Sequence, residues 1–160
     1  MAGTTLDQTK IDALIAKLQL YKYVVSAGET VLGPLKSAPT VEPDVETKDL
    51  TLYETGSEAQ ASYLVKNNVK LTLDVEDVDT AMGLMGAFQK GDNVLDSTKS
   101  VPVTLVPITD DEGAKTITFP NAFLQPGLSM TMGEDDDPNS VLLVYLCRPD
   151  AETGKTFTFA

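Results

Sequence analysis

Acidic side chains are the residues of this sequence that are best placed to do chemistry. Two segments concentrate them: TDDEGAK at residues 109–115 and GEDDDPNS at residues 133–140. Carboxylates bind calcium, and a pair of them hydrolyses glycosidic bonds. Neither segment has the spacing of an EF-hand calcium loop. Adjacent acids also point to different sides of the chain, so we interpret both segments as solvated hairpin turns without a metal site.

Other catalytic groups are missing or isolated. Histidine is absent from the sequence, which removes the usual general base near neutral pH and a common metal ligand. The single cysteine, Cys147, lies in an apolar run, which favours a buried side chain over a reactive thiol. Glycine-rich phosphate loops of the GxGxxG and GxxxxGK[ST] types do not occur. We therefore predict no enzymatic activity and no cofactor.

The charge balance argues against tight binding to nucleic acid. The chain has 160 residues and a net charge of −12, from 24 acidic and 12 basic residues. Its one arginine, Arg148, and its scattered lysines form no basic stripe, and an acidic field repels phosphates. The first ten residues are too polar for a signal peptide, and the longest apolar run is too short to cross a membrane. We expect one domain, made in the cytoplasm, with no membrane partner.

Two helices are predicted. Residues 5–20 begin with a capping-box spacing at Thr5 and Gln8. They carry an apolar stripe that packs either on this domain or on a neighbouring subunit, formed by Ile11, Leu14, Ile15 and Leu18. Residues 77–90 form the second predicted helix, with Asp77 as N-cap and Lys90–Gly91 at its end. Its predicted inner face holds Val78, Met82, Met85 and either Phe88 or Gln89.

The segment between them, residues 28–49, is predicted to be long and irregular. It contains Pro34, Pro39 and Pro43, and prolines at this density argue against a central strand. Its apolar residues are too many for a plain linker. We interpret the segment as an arm that packs on something else, through Val31, Leu32, Leu35, Val41 and Val45.

The remainder reads as short strands. Residues 69–75 alternate, which places Lys70, Thr72 and Asp74 on a polar face; Ser129 and Thr131 alternate in the same way with apolar neighbours. Residues 101–108 contain Pro102 and Pro107 and so suit a sheet edge. Residues 141–147 are apolar on both faces, which predicts cover on both sides. Two helices and about eight strands predict a mainly-β fold, a β-sandwich or barrel with helical flanks.

Two stretches resemble bacteriophage tail tube proteins, the major tail proteins of long-tailed phages. One is KTITFPNAFLQPGLSMTMGEDDDPNSVLLVYLCRPDAETGKTFTF, residues 115–159, with its bend, acidic hairpin, apolar strand and PDxxTGKxFxF-like ending. The other is LVKNNVKLTLDVEDVDTAMGLMGAF, residues 64–88, in which a strand runs directly into a helix. The resemblance covers residues 49–160, while the helix in residues 1–20 and the arm in residues 28–49 are additions to the pattern.

The resemblance implies a tail tube fold over residues 1–160, with a β-sandwich core at 50–160. Family members form rings, usually hexameric, that stack into a tube with an acidic lumen. On that basis we expect a structural virion protein of the tail, assembled in the host cytoplasm, that passes DNA transiently. Expected partners are further copies of the chain and neighbouring tail proteins such as the tape measure, terminator, baseplate or sheath.

Residue roles follow from the same resemblance. Candidate lumen residues are Lys70, Thr72, Asp74, Ser129 and Thr131. A candidate acidic rim is formed by Glu134, Asp135, Asp136 and Asp137, and the arm of residues 28–49 is expected to reach an adjacent subunit. Alternatives are a head–tail joining or tail terminator ring, the tube subunit of a contractile injection particle, and a carbohydrate- or calcium-binding β-sandwich.

Overall fold

The structure, a computed structural model, describes residues 7–18, 21–51, 56, 58–110 and 112–160. Strands make up most of the regular structure in these ranges. They are β1 (Tyr23–Ala27), β2 (Thr30–Val31), β3 (Thr40–Thr51), β4 (Ala59–Val75), β5 (Val101–Pro107), β6 (Ile117–Leu124), β7 (Met130–Thr131), β8 (Ser140–Cys147) and β9 (Thr158–Phe159). The α-helices are α1 (Gln8–Leu18) and α2 (Val78–Met85), and a short 3₁₀-helix covers Ser97–Lys99.

The strands of the described chain belong to one antiparallel sheet. Its order is β2-β1-β5-β6-β8-β4-β3, with β7 added beside β8 and β9 beside β6. Strand β6 pairs with β5 along most of its length, from Ile117 to Ala122, and with β8 from Ala122 to Leu124. The predicted mainly-β fold with two helices is confirmed.

The sheet rolls up because its two ends share a core. After β2 the chain crosses from β1 to β4: Leu32 N–H donates to Val25 O at 3.0 Å, and Lys36 N–H donates to Asp74 O at 2.8 Å. Alternate residues of five strands meet inside the roll, as period-two burial requires. The cluster includes Val25, Leu32, Leu71, Leu73, Val103, Leu105, Phe119, Val141, Leu143, Tyr145 and Cys147.

Strand β5 corrects one prediction. Residues 101–108 were expected at a sheet edge because of their prolines, but β5 lies between β1 and β6. The pairing of β5 with β6 is irregular between Val101 and Val103, so Pro102 interrupts no regular ladder bond there. The Pro102 carbonyl accepts a hydrogen bond from Gly28 N–H at 2.8 Å, and Pro107 ends the strand. A bulge and a strand end are the places where a sheet interior tolerates proline.

Both predicted helices exist, with different ends. Thr5 lies outside the described residues; the α1 N-terminus is capped by Asp7, whose carboxylate accepts from Lys10 N–H at 2.9 Å. Asp77 caps α2 as predicted, accepting from Thr80 N–H and, at 2.8 Å, from the Thr80 hydroxyl.

Helix α2 is shorter than expected. It ends at Met85 with Gly86 as C-cap, and not at Lys90–Gly91. Glycine disfavours helix, and Gly83 and Gly86 lie in and just after the last turn. Ala81 is its buried residue, Val78, Leu84 and Met85 pack beside it, and Met82 is exposed, so the predicted inner face was partly wrong.

The segment predicted to be irregular is largely a strand. From Thr40 onwards residues 28–49 form β3, which pairs along β4 as a long hairpin. Pro43 is tolerated because β3 is the last strand of the sheet, where one side of the backbone needs no ladder bond. The prediction of a long irregular loop was therefore wrong over this part.

Within the described ranges, neither α-helix is long and apolar enough to span a lipid bilayer.

Candidate assembly surfaces

The predicted lumen residues lie on one face of the sheet. On β4, Lys70, Thr72 and Asp74 alternate with the buried Leu71, Leu73 and Val75 and therefore point away from the core. Thr131 pairs with Ser140, one step from the core pair formed by Met130 and Val141. Ser129 borders the same shallow groove as Lys70. The structure thus brings all five residues to the outward face, which we call the polar face.

Further charged residues on β3 and β4 extend the polar face. Glu42 pairs with Lys70 and Glu46 with Lys66 across the two strands. The Lys66 ammonium lies 3.0 Å from the Asp44 carboxylate, and both side chains are partly exposed. Exposed pairs of this kind contribute about 0–1 kcal/mol each, so they tune the surface charge more than the stability. Sequence reasoning missed Glu42, Asp44 and Glu46, although their i, i+2 spacing marked one face of a strand.

Strand β8 contributes an apolar row to this face. Val141, Leu143, Tyr145 and Cys147 are buried in the core, whereas Leu142, Val144 and Leu146 are only half-buried. The latter row pairs with Asp74, Thr72 and Lys70 of β4. The strand was predicted to be covered on both faces, but a single copy covers one face fully and the other in part. Within the described residues, this second face is therefore covered only in part.

The hairpin formed by β3 and β4 extends beyond the body of the subunit. Strand β8 pairs with Val69–Val75 of β4, so among the residues that the structure describes no further strand lies beside residues 46–51 and 59–66. We call these residues the distal hairpin. Three consecutive residues of β4, on both faces of the strand, are exposed by more than half: Tyr63 at 58%, Leu64 at 55% and Val65 at 57%. Leu50, which pairs with Ala61 across the hairpin, is 43% exposed.

The predicted arm residues fall into two groups. Leu32 is fully buried and Leu35 packs against the core, where it forms a bridge with Val75, so these two belong to the subunit itself. This corrects their assignment to an arm. Val31, Val41 and Val45 are about half-exposed, and they remain available to a partner.

The acidic segment, Glu134 to Asp137, forms a tight exposed turn. Asp137 N–H donates to Glu134 O at 3.0 Å, and Asp135 adopts a left-handed conformation with φ of 54°. Gly133 enters the turn with its N–H bonded to Asn139 Oδ1 at 2.8 Å. A Cβ at Gly133 would lie 1.9 Å from Asp137 O, so only glycine fits. The four carboxylates project from a defined turn at one end of β8.

The chemistry available to the described residues is limited. Among them, no group of three or more Asp, Glu or Cys side chains is placed to hold a metal ion. Burial raises the pKa of the Cys147 thiol to about 12, so the thiol stays protonated and unreactive near neutral pH. Burial, and to a lesser extent Cys147, raises the pKa of Tyr145 to about 12. Both groups serve as core side chains.

Comparison with known proteins shows the fold of the chain. No protein-family model and no curated protein sequence matches it. Solved structures do match it, among them the following three cryo-EM structures. A chain of an extracellular contractile injection system, the PVC sheath–tube complex in its extended state, is 14% identical with a TM-score of 0.59, covering 98% of this chain and 99% of that one.

The other two similar structures belong to the ends of such particles. The anti-feeding prophage cap, a tube-terminating cap, is 12% identical with a TM-score of 0.54, covering 100% of this chain and 94% of that chain. The PVC sheath/tube terminator in its extended state is 15% identical with a TM-score of 0.54, covering 88% and 94%. At these identities the likeness establishes a shared fold across nearly the whole length of the chain.

Proposed function

We propose that this protein is a structural subunit that self-assembles into rings, and that the rings stack into the inner tube of a phage tail or of a related contractile injection particle. In this role the protein catalyses no reaction. Its partners are further copies of itself and the neighbouring tail proteins, and its place is the assembled particle.

The distal hairpin is the observation that carries this proposal. Two strands with Tyr63, Leu64 and Val65 exposed on both faces have no core of their own. A two-stranded hairpin is at best marginally stable in water, and exposed apolar patches of this kind mark interaction sites. The hairpin therefore needs a partner surface, and the shared fold with tube, cap and terminator assemblies indicates what kind of partner that is.

The sheet edge supports repeated self-association. Strand β3 ends the sheet, so one side of its backbone lacks a strand partner in the described subunit. A long uncovered edge is a template for pairing with another chain. Addition of a neighbouring subunit's strand there would join the sheets of adjacent copies around a ring. We take the ring to be hexameric, following the family that the sequence resembles.

The polar face is the proposed lumen lining. Its acids on β3 and β4, namely Glu42, Asp44, Glu46 and Asp74, outnumber its bases, Lys66 and Lys70. A mildly acidic wall gives DNA phosphates no strong partner, so that DNA slides through without binding. The apolar row of β8 would be covered in part by the neighbouring subunit. The acidic turn at residues 134–137 would then lie at the rim of the ring.

A ring that caps or terminates the tube is the second candidate. It is favoured by the likeness to a tube-terminating cap and to a sheath/tube terminator. The two candidates differ in one property: a tube subunit stacks on itself without limit, whereas a cap or terminator forms single rings.

Negative-stain electron microscopy of the purified full-length chain, imaged over a concentration series, tests the proposal. Tubes of constant diameter are the expected result, and single rings would favour the second candidate. Leu64→Asp in the distal hairpin should abolish assembly. Val106→Asp is the matched control, because Val106 is also apolar and exposed, at 44%, but lies on β5 away from the hairpin. A chain that stays monomeric at every concentration would contradict both candidates.

A labelling experiment tests the lumen. Thr72→Cys places a thiol on the polar face, and Val106→Cys places one on the outer surface of β5. In assembled tubes a bulky maleimide should modify the second variant and not the first, whereas dissociated subunits should react at both. Equal labelling of both variants in tubes would contradict the proposal that the polar face lines the lumen.

A further inference from the structure

Two lysines line one cleft at the surface of the subunit. The cleft lies between the start of β1, the end of β5 and the segment of residues 33–39, and its volume is about 450 Å³. Lys22 and Lys36 are both exposed, and no acidic residue is among the described residues that line the cleft with them. We call it the lysine cleft. Its size lies in the range of about 300–1,000 Å³ that is typical of binding clefts.

The charges of the lysine cleft are not paired within one copy. Among the residues that the structure describes, neither Lys22 nor Lys36 forms an ion pair with a carboxylate. Asp74 accepts from the Lys36 N–H through its backbone carbonyl, at 2.8 Å. Asp77 lies beside the cleft, but its carboxylate accepts hydrogen bonds from Thr80 at the start of α2. In a chain whose acids outnumber its bases 24 to 12, a cleft with two unpaired cations marks a surface for an anion.

The acidic turn, Glu134 to Asp137, is the matching anionic feature. Its four carboxylates are exposed, and within the described part of the chain none of them forms an ion pair. The turn is held by its own hydrogen bonds, from Asp137 N–H to Glu134 O and from Gly133 N–H to the Asn139 side chain. Because the turn is already ordered, it loses little conformational freedom on docking. The turn and the lysine cleft are therefore complementary in charge.

Both features lie near the same end of β4, on opposite edges of this strand. On one edge Val75 pairs with Val141, which stands at the start of β8 just after the acidic turn. On the other edge Val75 forms a bridge with Leu35, which lines the lysine cleft. Two strand partners of one residue lie on opposite sides of its backbone. The turn and the cleft are therefore at a similar level along β4 but on different sides of it.

This placement fits a contact between neighbours in a ring. Rotation about an axis roughly parallel to β4 keeps each feature at its own level, so the turn of one copy can meet the cleft of the next copy. The contact joins two different surfaces, and contacts of this heterologous type form rings when the rotation closes. Within one copy, no described residue of the turn lines the cleft.

We propose that the acidic turn of one copy docks in the lysine cleft of the neighbouring copy in the same ring. This inference rests on the proposed function and deepens it, because it names a lateral contact between subunits. Salt screens exposed charges, so the contact should weaken as the ionic strength increases. The distal hairpin and the free edge of β3 remain separate surfaces for other contacts.

Carbodiimide coupling tests the contact, because this reagent joins an ammonium and a carboxylate as an amide only where the two groups touch. Unlabelled and ¹⁵N-labelled full-length chains are mixed as dissociated subunits, concentrated and coupled, and the linked peptides are identified by mass spectrometry. Lys22 or Lys36 of one isotopic form should be joined to residues 134–137 of the other form. Coupling of these lysines to the turn only within one isotopic form would overturn the proposal. So would the absence of this link while other lysines couple.

Charge reversal on each side of the contact tests its specificity. The cleft variant carries Lys22→Glu and Lys36→Glu, and the turn variant carries Glu134→Lys and Asp136→Lys. Asp135 is kept because its φ of 54° suits few residues. Each variant alone should need about a tenfold higher concentration to assemble, since like charges then face each other. An equal mixture of the two should assemble like the unmodified chain, because each variant offers the surface that the other requires.

Asp110→Lys with Glu112→Lys is the matched control, because it changes the net charge by the same amount at exposed positions of the other acidic segment. Sedimentation velocity should show assembly close to that of the unmodified chain. An equal loss of assembly in the control and in the turn variant would overturn the proposal, and so would a mixture that does not assemble.

The outcome for the unmodified chain separates this inference from the proposed function. If the unmodified chain forms tubes and the cleft and turn variants do so equally well, the docking of the acidic turn is wrong and the tube function stands. If the unmodified chain forms neither rings nor tubes, the proposed function fails. The isotope-mixed coupling then still decides whether the acidic turn of one copy contacts the lysine cleft of another.

Discussion

The rolled body of the subunit and its distal hairpin differ in how side-chain exposure varies along their strands. In the body, buried and less buried residues alternate along β5 and β8, and the buried ones meet in one core. In the distal hairpin, consecutive residues such as Leu64 and Val65 are both exposed. The body sequence is explained by the fold of one chain. The apolar residues of the hairpin are not explained by burial within the described part of one chain.

This difference separates two kinds of apolar residue. Those in the body lower the free energy of one copy by leaving water, by about 25 cal/mol for each Å² buried. Those in the distal hairpin gain less within one copy, because more than half of each of the Tyr63, Leu64 and Val65 side chains stays in water. Substitutions in the two regions should therefore divide into effects on folding and effects on assembly.

The largest expected effect comes from neighbouring residues of β8. Leu143 is fully buried, while Val144 is half-buried on the polar face. Leu143→Asp buries an unpaired charge and should cost about 4 kcal/mol or more, enough to unfold a marginally stable domain. Val144→Asp leaves its carboxylate at the surface and should keep the subunit folded.

Thermal unfolding followed by circular dichroism compares the two variants directly. Unfolding of both variants would contradict the expected difference between core and surface, because the polar face would then be as buried as the core. The difference would also be contradicted if Leu143→Asp melted at the same temperature as the unmodified chain.

An intermediate effect is expected where the segment before β9 forms a hydrogen bond with β4, next to the distal hairpin. The Thr156 hydroxyl, which is buried, donates to Asn67 O at 2.6 Å. Thr156→Val keeps the shape but leaves that carbonyl without its donor, at a cost of about 1–3 kcal/mol. Urea unfolding should show a lower midpoint with the same slope. Thr158→Val, on β9, is the control and should change the midpoint little.

A near-zero effect on folding is expected in the distal hairpin. Tyr63→Ser removes an aromatic side chain that is more than half exposed, and such changes usually lie within about 0.5 kcal/mol. Unfolding of the monomer should therefore be unchanged while assembly weakens, as sedimentation velocity would show. A loss of stability comparable to that of a core substitution would mean that the hairpin folds against its own body.

The last expected effect appears only at alkaline pH. The pKa values of Cys147 and Tyr145 rise from 9.0 and 10.0 to about 12 in the folded subunit. Between the unfolded and folded pKa values, the folded state holds protons that the unfolded state has released. The free energy of unfolding should therefore fall as the pH rises from about 9 towards 12. Below pH 9 it should not depend on these two groups. One proton corresponds to about 1.4 kcal/mol per pH unit. Unfolding in urea from pH 8 to 10 should show a shallower decline in Cys147→Ala; an equal decline would contradict the assignment to this thiol.

The sequence predicted several elements of the body correctly and missed the hairpin. Alternation along residues 69–75 predicted the strand and its polar face, and Asp77 predicted the start of α2. The prolines misled in two places. Pro102 sits at a bulge inside the sheet and Pro43 on an edge strand, and both exceptions depend on pairing between residues far apart in sequence. Local patterns carry no record of such pairings.

The candidate site residues also differ in whether a local sequence pattern could place them. Lys70, Thr72 and Asp74 were placed on one face because alternation within a strand is local. Leu32 was assigned to an arm although it fills the core, because its burial follows from the return of the chain from β1 to β4. The exposure of Tyr63 and Leu64 depends on how far β8 extends along β4, which no local signal reveals.

We propose that another subunit covers the distal hairpin on assembly. Amide hydrogen exchange, measured on dissociated subunits and on assembled particles, tests this contact. Peptides covering residues 46–51 and 59–66 should become strongly protected on assembly, while the core strand β8 should be protected in both states. Equally fast exchange of the hairpin in both states would contradict the claim.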